Sequence, residues 1–333
     1  MTQRPTGPSR RTLLASGATL LAGVGLLGLC AALNASAQER APLKIIVGFP
    51  PGGSADVLAR AIGDAMREDF SSVLVENRPG AAGRLAIGLV KNAKPDGQTL
   101  IIVPSPSMVL FPHIFKKVDY DPARDFTPIS QLALGQFGIT AGPASGVTSM
   151  REMVAKLKVD PKSGTFGTPG EGSGPHILGM MLGQAIGVPL THVPFTGGAP
   201  ANTALLGGHI GYKVDAVLES IEFHRSGKVR VLAVAGDKRD PQLPEVPTLK
   251  ESGIPIEATF WFGMYGPAGL PRDTQARLQQ SAAKAVKRPD VAERLTKLGF
   301  EPVGSTGAEL AAVQRADFAN WEKPAKAAGV SLD

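Results

Sequence analysis

Phe49-Pro-Pro-Gly-Gly-Ser-Ala-Asp-Val-Leu-Ala-Arg60 is the stretch around which the chain is organised. The apolar run Leu43–Gly48 before it contains β-branched residues and predicts a buried strand. After it, apolar residues recur at helical spacing from Val57 to Met66, and Ser54 is placed to cap that helix. The glycines between strand and helix leave backbone N–H groups uncovered beside the positive end of a helix dipole. The turn is therefore either a plain strand-to-helix connection or a site for a small anion.

Similar strand–turn–helix units recur along the chain. We predict further strands over residues 72–76, 99–103, 162–167, 190–194 and 228–235, with glycine-punctuated turns over 77–83, 168–175 and 195–200. This repetition indicates an α/β fold with parallel strands and ligand loops at their carboxyl ends. The strand at 99–103 is followed by a predicted loop, Pro104–Ser107, that carries two hydroxyl groups.

The last third of the sequence predicts helices. Asp273 is placed to cap one helix, Pro289 to start a second, and Thr306-x-x-Glu309 is a capping box that opens a third. No P-loop pattern is present, and Gly170-x-Gly172 lacks the third glycine of a dinucleotide fingerprint.

Residues 1–37 have the features of an export signal. Arg4, Arg10 and Arg11 precede an apolar segment that ends at Ala35-Ser-Ala37, an A-x-A cleavage pattern. Ser9–Leu14 also resembles a twin-arginine signal. We expect cleavage after Ala37 and a periplasmic mature protein.

Removal of the signal changes the composition of the chain. It leaves 296 of 333 residues, enough for two α/β domains, and it removes Cys30, the only cysteine. Loss of three arginines lowers the net charge from +6 to +3. A charge this small and scattered argues against a nucleic-acid partner but would favour small anions in a cleft.

Catalytic and metal-binding arrangements are weak in this sequence. Ser173, His176 and Asp56 supply the residue types of a hydrolase triad, but no G-x-S-x-G elbow is present. His176 is more simply a hydrogen-bonding residue at a helix start. The histidines lack metal-ligand spacing. Asp56 either stabilises a helix dipole or faces the ligand, where it would accept a hydrogen bond or exclude a second carboxylate.

An ordered set of short motifs covers the chain from about Leu43 to Asp333. The motifs are Phe49–Arg60, Glu76-Asn-Arg-Pro-Gly80, Ala93-x-Pro-Asp-Gly97, Tyr120-Asp-Pro-x-x-Asp-Phe126, His192-Val-Pro-Phe195, Gly207-Gly208, Gly227-Lys-Val-Arg230, Leu243-Pro-Glu-Val-Pro-Thr248, Trp261-Phe-Gly263 and Pro267-Ala-Gly269. This set resembles the tripartite tricarboxylate transporter substrate-binding family, also called Bug extracytoplasmic solute receptors.

The resemblance implies a type II periplasmic binding protein, an α/β fold of two domains joined by two crossing strands. It places residues 38–140 and 259–333 in the first domain and residues 141–258 in the second. The crossings would lie near Phe137–Ala141 and Phe260–Gly263. In similar proteins, backbone amides and hydroxyls of facing loops hold a ligand carboxylate between the domains.

By this analogy the substrate contacts residues of both domains. The expected set is Phe49, Gly52, Gly53, Ser54, Ala55, Asp56, Ser105, Ser107, Thr168, Gly170, Gly172, Ser173, His176, Thr196, Gly197, Gly198 and Asp215. The chain departs from the family at two places. It has Arg78-Pro-Gly-Ala-Ala-Gly-Arg84 where such receptors often show R-P-G-A-G-G-N, and Gly207-Gly-His-Ile-Gly211 where G-G-x-V-D is frequent. These departures affect the ligand class more than the fold.

The resulting hypothesis is a monomeric periplasmic receptor that captures a small organic acid, with no cofactor, no metal and no catalysis. Its partners would be the membrane subunits of a tripartite tricarboxylate-type transporter. Two alternatives remain open at this point, an exported partner of a sensor protein in a signalling system and a small-molecule hydrolase.

Overall fold

The strand Phe126–Ala141 (β4) runs through the middle of the sheet in the computed structural model, which describes residues 42–333. Its first part pairs antiparallel with Thr259–Pro267 (β9). Its last part pairs antiparallel with Tyr212–Ala216 (β7) and Arg230–Val234 (β8). β4 therefore connects the two halves of a ten-stranded sheet.

The first half of the sheet is built mainly before β4. Its elements in chain order are β1 (Leu43–Val47), α1 (Ser54–Met66), β2 (Val73–Asn77), α2 (Arg84–Lys91), β3 (Thr99–Pro104), α3 (Pro106–Val109) and α4 (Phe111–Ile114). β1 pairs in parallel with β2 and β3, and β3 pairs antiparallel with β9. The strand order on this side is β2-β1-β3-β9-β4.

The second half lies between β4 and β9 in the sequence. Besides β7 and β8 it contains α5 (Met150–Val159), β5 (Thr165–Thr168), α6 (Gly174–Ile186), β6 (Thr191–Pro194), α7 (Gly198–Leu206) and α8 (Ile221–Arg225). β5 pairs in parallel with β6 and β7, and the order continues β4-β7-β5-β6. Short 3-10 turns cover Ala81–Gly83, Pro143–Ser145, Pro161–Ser163 and Val217–Ser220.

The C-terminal part of the chain returns to the first half. It consists of α9 (Arg272–Lys287), α10 (Pro289–Lys297), β10 (Glu301–Pro302) and α11 (Gly307–Ala327). α9 and α10 pack against α1, and α11 packs against β4. These packings return the end of the chain to the side on which it begins.

The core explains why β1 is a continuous apolar run. Ile45 and Ile46 point to opposite faces of β1 and are both fully buried, in different apolar clusters. Leu58 and Ile62 of α1 lie on the Ile45 side, and Ile87 of α2 lies on the Ile46 side. Burial of each such side chain contributes about 1.5–3 kcal/mol to stability. Helices therefore cover both faces of this strand.

The register of the parallel strands brings the predicted ligand loops together. Val47 of β1 lies opposite Asn77 of β2 and Ile102 of β3. The loops that follow these three strands are therefore neighbours at one edge of the sheet. Thr168 of β5 lies opposite Pro194 of β6, so the turns after these strands are also adjacent.

Most element predictions are confirmed, including β1, β3, the helix that starts at Pro289 and the Thr306–Glu309 capping box. The expectation of parallel strands holds within each half, whereas β4 and β9 add antiparallel pairs. The predicted signal, residues 1–37, lies outside the described residues. Among residues 42–333, no helix combines the length and the apolar character needed to cross a bilayer.

Four local predictions were wrong. Gly53, not Ser54, is the N-cap of α1, and Pro271, not Asp273, precedes α9. The predicted loop Pro104–Ser107 contains the start of α3 instead, because Pro106 suits a first helical turn. The predicted strand at 162–167 begins only at Thr165, because Pro161–Ser163 forms a 3-10 turn.

Candidate functional site

A central cavity lies where the two halves of the sheet face each other. Its volume open to the centres of water molecules is about 60 Å³, which is room for a few waters or a small ligand. Its lining comprises Phe49, Pro50, Gly53, Ser54, Ala55, Ala82, Pro104, Pro106, Ser107, Phe111, Phe137, Pro169, Ser173, Gly174, Pro175, Gly197, Gly198, Ala199, Asp215, Ala216, Glu219, Phe260 and Phe262. Loops from both halves of the sheet therefore contribute to one cavity.

One wall of the cavity is aromatic. The rings of Phe137 on β4 and Phe260 on β9 stack with centroids 4.7 Å apart, and Phe262 meets Phe260 edge-on at 5.4 Å. The neighbouring Trp261 does not line the cavity, and its indole N–H donates to Asp317 at 2.7 Å. The crossing strands thus supply an apolar wall, and Phe262 combines strand packing with a place at the site.

The amino end of α1 holds a carboxylate from the other half of the sheet. The backbone N–H of Ser54 donates to Oε1 of Glu219 at 2.9 Å. The N-cap residue, Gly53, has no side chain that could cap the helix. The Glu219 carboxylate therefore supplies a negative charge that stabilises the positive, amino-terminal end of α1.

Asp56 stabilises the turn before α1 and does not line the cavity. Its carboxylate accepts hydrogen bonds from the Gly52 N–H at 3.0 Å, Arg60 Nε at 3.0 Å and Asn77 Nδ2 at 2.9 Å. Burial alone would raise the pKa of Asp56, but these hydrogen bonds outweigh it and lower the pKa below its ordinary value. Both oxygens are thus engaged by the protein itself.

The turn before α6 is held by a stack of two histidines. The rings of His176 and His192 lie 3.7 Å apart at 13°. His176 Nδ1 accepts the Gly172 N–H at 3.1 Å, and the backbone N–H of His176 donates to Ser173 Oγ at 3.3 Å. His192 Nε2 lies 2.7 Å from Thr168 Oγ1. These contacts fix the turn and agree with a structural role for His176.

Both histidines are neutral near pH 7. Burial lowers the pKa of His176 to about 4. Burial, and then repulsion from His176 when it is protonated, lower the pKa of His192 to about 3. Because the Nδ1 atom of His176 accepts a hydrogen bond, its proton resides on Nε2.

At the wall of the cavity, β7 carries two buried polar residues of opposite type, Lys213 and Asp215. Lys213 Nζ lies 3.6 Å from Oδ2 of Asp215 and donates to Asn202 Oδ1 at 2.6 Å. Asp215 Oδ1 accepts the N–H of Ala216 at 2.7 Å, whereas Oδ2 has no hydrogen-bond partner among the described residues. Burial raises the pKa of Asp215, and the nearby Glu219 carboxyl raises it further, against a lowering by Lys213.

Gly198, at the start of α7, lies against both carboxyl groups. A Cβ atom at this position would overlap Oε2 of Glu219 and Oδ2 of Asp215. These two oxygens are therefore close together, and the absence of a side chain at Gly198 makes room for them.

The two predicted hydroxyls differ in position. Ser107 lines the cavity, and its carbonyl accepts the hydroxyl of Tyr120. Ser105 does not line it, because its Oγ accepts the backbone N–H of Trp261 at 3.2 Å. Ser105 thus anchors the end of β3 to β9.

A second groove adjoins the cavity between the turn after β2 and the turns after β5 and β6. Ala82, Arg84, Gly170 and Thr196 are among its lining residues. The Arg84 guanidinium lies 3.8 Å above the ring of Phe115. The cation that distinguishes this chain from the family pattern therefore lies in the groove and outside the central cavity.

The cavity brings together about half of the expected site residues. Phe49, Gly53, Ser54, Ala55, Ser107, Ser173, Gly197, Gly198 and Asp215 line it, whereas Gly52, Asp56, Ser105, Thr168, Gly170, Gly172, His176 and Thr196 do not. Sequence reasoning missed Glu219 and the aromatic wall. The available clue was the presence of two charged residues, Lys213 and Asp215, among the apolar residues of β7. Among residues 42–333, no group of three or more His, Cys, Asp or Glu is placed to hold a metal ion.

A comparison with protein families identifies one match. The family model described as the tripartite tricarboxylate transporter family receptor matches residues 58–329.

Solved structures that share this fold include three that are similar in sequence. The periplasmic binding protein BugD is 30% identical with a TM-score of 0.84, and the alignment covers 88% of this chain and 99% of BugD. Rpa4515 of R. palustris, solved with adipate, is 29% identical with a TM-score of 0.85, and the alignment covers 88% of this chain and 99% of Rpa4515. MatC of Rhodopseudomonas palustris, solved with bound malate, is 30% identical with a TM-score of 0.81, and the alignment covers 86% of this chain and 99% of MatC. The described part of the chain therefore has the fold of the periplasmic binding proteins.

Proposed function

The chain belongs to the tripartite tricarboxylate transporter receptor family, and we propose that its central cavity captures a small carboxylate-bearing metabolite for a transporter of that type. It is a solute-binding protein of the Bug type. Two neighbours of the same fold were solved with dicarboxylates, adipate and malate. These relatives support the ligand class.

One observation in this chain carries the proposal. The Ser54 N–H at the positive end of α1 already binds a carboxylate, that of Glu219. Aligned backbone N–H groups at a helix start bind anions without a charged side chain. Across the cavity, Ser173 and Gly174 place the amino end of α6, a second helix of 13 residues, at the same space. A ligand carboxylate at that end would lie between the two halves of the protein.

The geometry favours binding over hydrolysis. Ser173 Oγ accepts a backbone N–H, and the Nδ1 of His176 is occupied by Gly172. The Asp56 carboxylate is held by Arg60 and Asn77. The three residues of the hydrolase alternative are therefore engaged separately, and the protein acts as a receptor without catalysis.

The binding mechanism requires two lobes that move about the crossing strands. Among the described residues, 42–140 with 259–333 form one lobe, and 141–258 form the other. The path of β4, which pairs with β9 and then with β7 and β8, supports this division. The mature receptor is a periplasmic monomer that delivers its ligand to membrane subunits, as the periplasmic neighbours and the Ala35-Ser-Ala37 motif suggest.

Binding of carboxylates, combined with one glycine substitution, tests the proposal. Calorimetry on the mature protein with a panel of mono- and dicarboxylates should give saturable binding of at least one. Gly198→Ala should weaken that binding at least about tenfold, a loss of about 1.4 kcal/mol, because the methyl group displaces Glu219 and Asp215.

The matched control is Gly88→Ala. Gly88 is also a helical glycine, but a Cβ there meets nothing within 4 Å. We expect unchanged affinity and a gain in stability of about 0.5–1 kcal/mol. Equal affinity of the folded Gly198→Ala and Gly88→Ala proteins would place the ligand outside the central cavity. A panel without any binding would contradict the proposed function itself.

A further inference from the structure

The central cavity is lined by two acidic side chains and no basic one. Asp215 and Glu219, called here the acidic pair, are the charged residues in its lining, which contains no Lys, Arg or His. Asp215 is only 4% exposed. A dicarboxylate in this cavity would place its second carboxylate beside carboxyl groups of the protein.

The carboxyl oxygens of the acidic pair differ in how many hydrogen-bond donors they have. Glu219 Oε1 accepts the Ser54 N–H, and Asp215 Oδ1 accepts the Ala216 N–H. Oδ2 of Asp215 is buried and has no donor among the described residues. Lys213 lies 3.6 Å away, beyond hydrogen-bond distance, and donates instead to Asn202. Burial and the Glu219 carboxyl raise the pKa of Asp215 to about 8, so near pH 7 Asp215 carries a proton that it shares with the nearby Glu219 Oε2. The remaining lone pair of Oδ2 has no donor among the described residues and is available to a ligand.

We propose that Oδ2 of Asp215 accepts a hydrogen bond from an N–H group of the ligand. The preferred ligand is then a small acid that carries an amide or ammonium group besides its carboxylate. Glu219 occupies the amide of Ser54, so the ligand carboxylate binds at the amino end of α6 and its N–H group points to Asp215. This inference rests on the proposed function, because it specifies the far end of the same carboxylate ligand.

The preference for an N–H ligand over a dicarboxylate follows from the chemistry of the amide and carboxylate groups. An amide has nearly the shape of a carboxylate, but it can donate a hydrogen bond, which a carboxylate cannot. Because the acidic pair shares one proton, it can still accept an N–H group but disfavours a second carboxylate. We therefore expect the N–H ligand to bind roughly tenfold to a hundredfold tighter than the dicarboxylate of the same length.

A matched series of probes tests this preference by calorimetry on the mature protein. Succinate, succinamate and 4-aminobutanoate share one carboxylate and differ at the other end. Adipate, adipamate and 6-aminohexanoate repeat the comparison at a greater length. The amide and ammonium arms separate the two sources of an N–H group. The expected ranking places an N–H probe above its dicarboxylate in at least one series.

Asp215→Asn tests the assignment to one residue, because its amide can donate to a ligand carboxylate. This variant should lose the preference or invert it. Asp240→Asn is the matched control, since Asp240 is also a buried aspartate, 3% exposed, but does not line the cavity. It should retain the ranking of the unsubstituted protein.

The outcomes separate this inference from the proposed function. If dicarboxylates bind as tightly as the N–H probes, or Asp215→Asn keeps the preference, the inference is overturned while the proposed function stands. If no probe of either series binds the folded protein, both are overturned. Because the ranking is measured first on the unsubstituted protein, poor folding of a variant does not decide the result.

Discussion

At the scale of single residues, two alanines in the turn after β2 are held in a backbone conformation that suits glycine. Ala81 and Ala82 have φ angles of 48° and 54°. Non-glycine residues in this left-handed region carry strain of about 1–3 kcal/mol. Ala82 stands where the family pattern has glycine, and it also lines the cavity. The chain therefore keeps strain at the edge of the proposed binding site.

Replacing Ala82 with glycine should relieve this strain. We expect Ala82→Gly to raise the free energy of unfolding by ~0.5–1 kcal/mol, since the greater freedom of glycine in the unfolded chain offsets part of the gain. Chemical denaturation measures the change. Ala276→Gly, on an exposed position inside α9, is the control and should lower stability by about 1 kcal/mol. A loss of similar size in both variants would show that position 82 is unstrained.

At the scale of elements, the sequence predicted those whose determinants are local. The apolar run of β1, Pro289 at the start of α10 and the Thr306–Glu309 capping box all act within a few residues. The N-cap of α1 was mispredicted, and the amide of Ser54 is bound by Glu219, 165 residues away.

The candidate site was likewise predictable only where its determinants are local in the sequence. Loops after predicted strands could be named from the sequence, and many of them line the cavity. Glu219 and the stacked rings of Phe137 and Phe260 could not be, because only the packing of two distant segments brings them there. Glu219 follows β7 in an ordinary 3-10 turn, and nothing in its local sequence distinguishes it from a solvent-facing acid.

The histidine stack gives the turn between β5 and α6 a dependence on pH. The folded protein lowers the pKa of His176 to about 4 and of His192 to about 3, mainly by burial. In the unfolded chain both titrate near 6.5. Below that pH the unfolded chain binds protons that the folded protein does not. The stabilisation is therefore complete above pH 6.5 and declines as the pH falls toward 4.

Substitution of one histidine isolates this effect. We expect His192→Gln to lower stability at pH 7 but to lose ~1–2 kcal/mol less than the unsubstituted protein between pH 7 and pH 5. The raised pKa of Asp215 acts in the opposite direction, so the comparison is made between variants. His209→Gln, at an exposed position, is the control and should keep the original slope. Denaturation curves at several pH values measure the stability of each variant. If the stability of His192→Gln falls with pH as steeply as that of His209→Gln, the pH dependence does not come from the histidine stack.

At the scale of the whole molecule, contacts across the cavity oppose its opening. Glu219 binds the amino end of α1, and Ala82 lies so near the backbone of Gly170 that a Cβ added there would be 3.2 Å from the Cβ of Ala82. In the proposed two-lobe division these contacts join one lobe to the other. A ligand that binds between the lobes must enter while they are separated, as in other hinged binding proteins.

A reversible crosslink tests this requirement for opening. The Cβ separation at Ala82 and Gly170 is within a few tenths of an ångström of the range of natural disulfides. Cys30 lies in the predicted signal, so a mature Ala82→Cys/Gly170→Cys variant has no other thiol. We expect oxidation to slow ligand association at least about tenfold, because the crosslink holds the two lobes together around the cavity, and reduction to restore it. Stopped-flow binding before and after reduction measures the effect, with each single cysteine variant as control. Unchanged association in the fully oxidised protein would mean that the ligand enters without separation of the lobes, and the hinge would then have no part in binding.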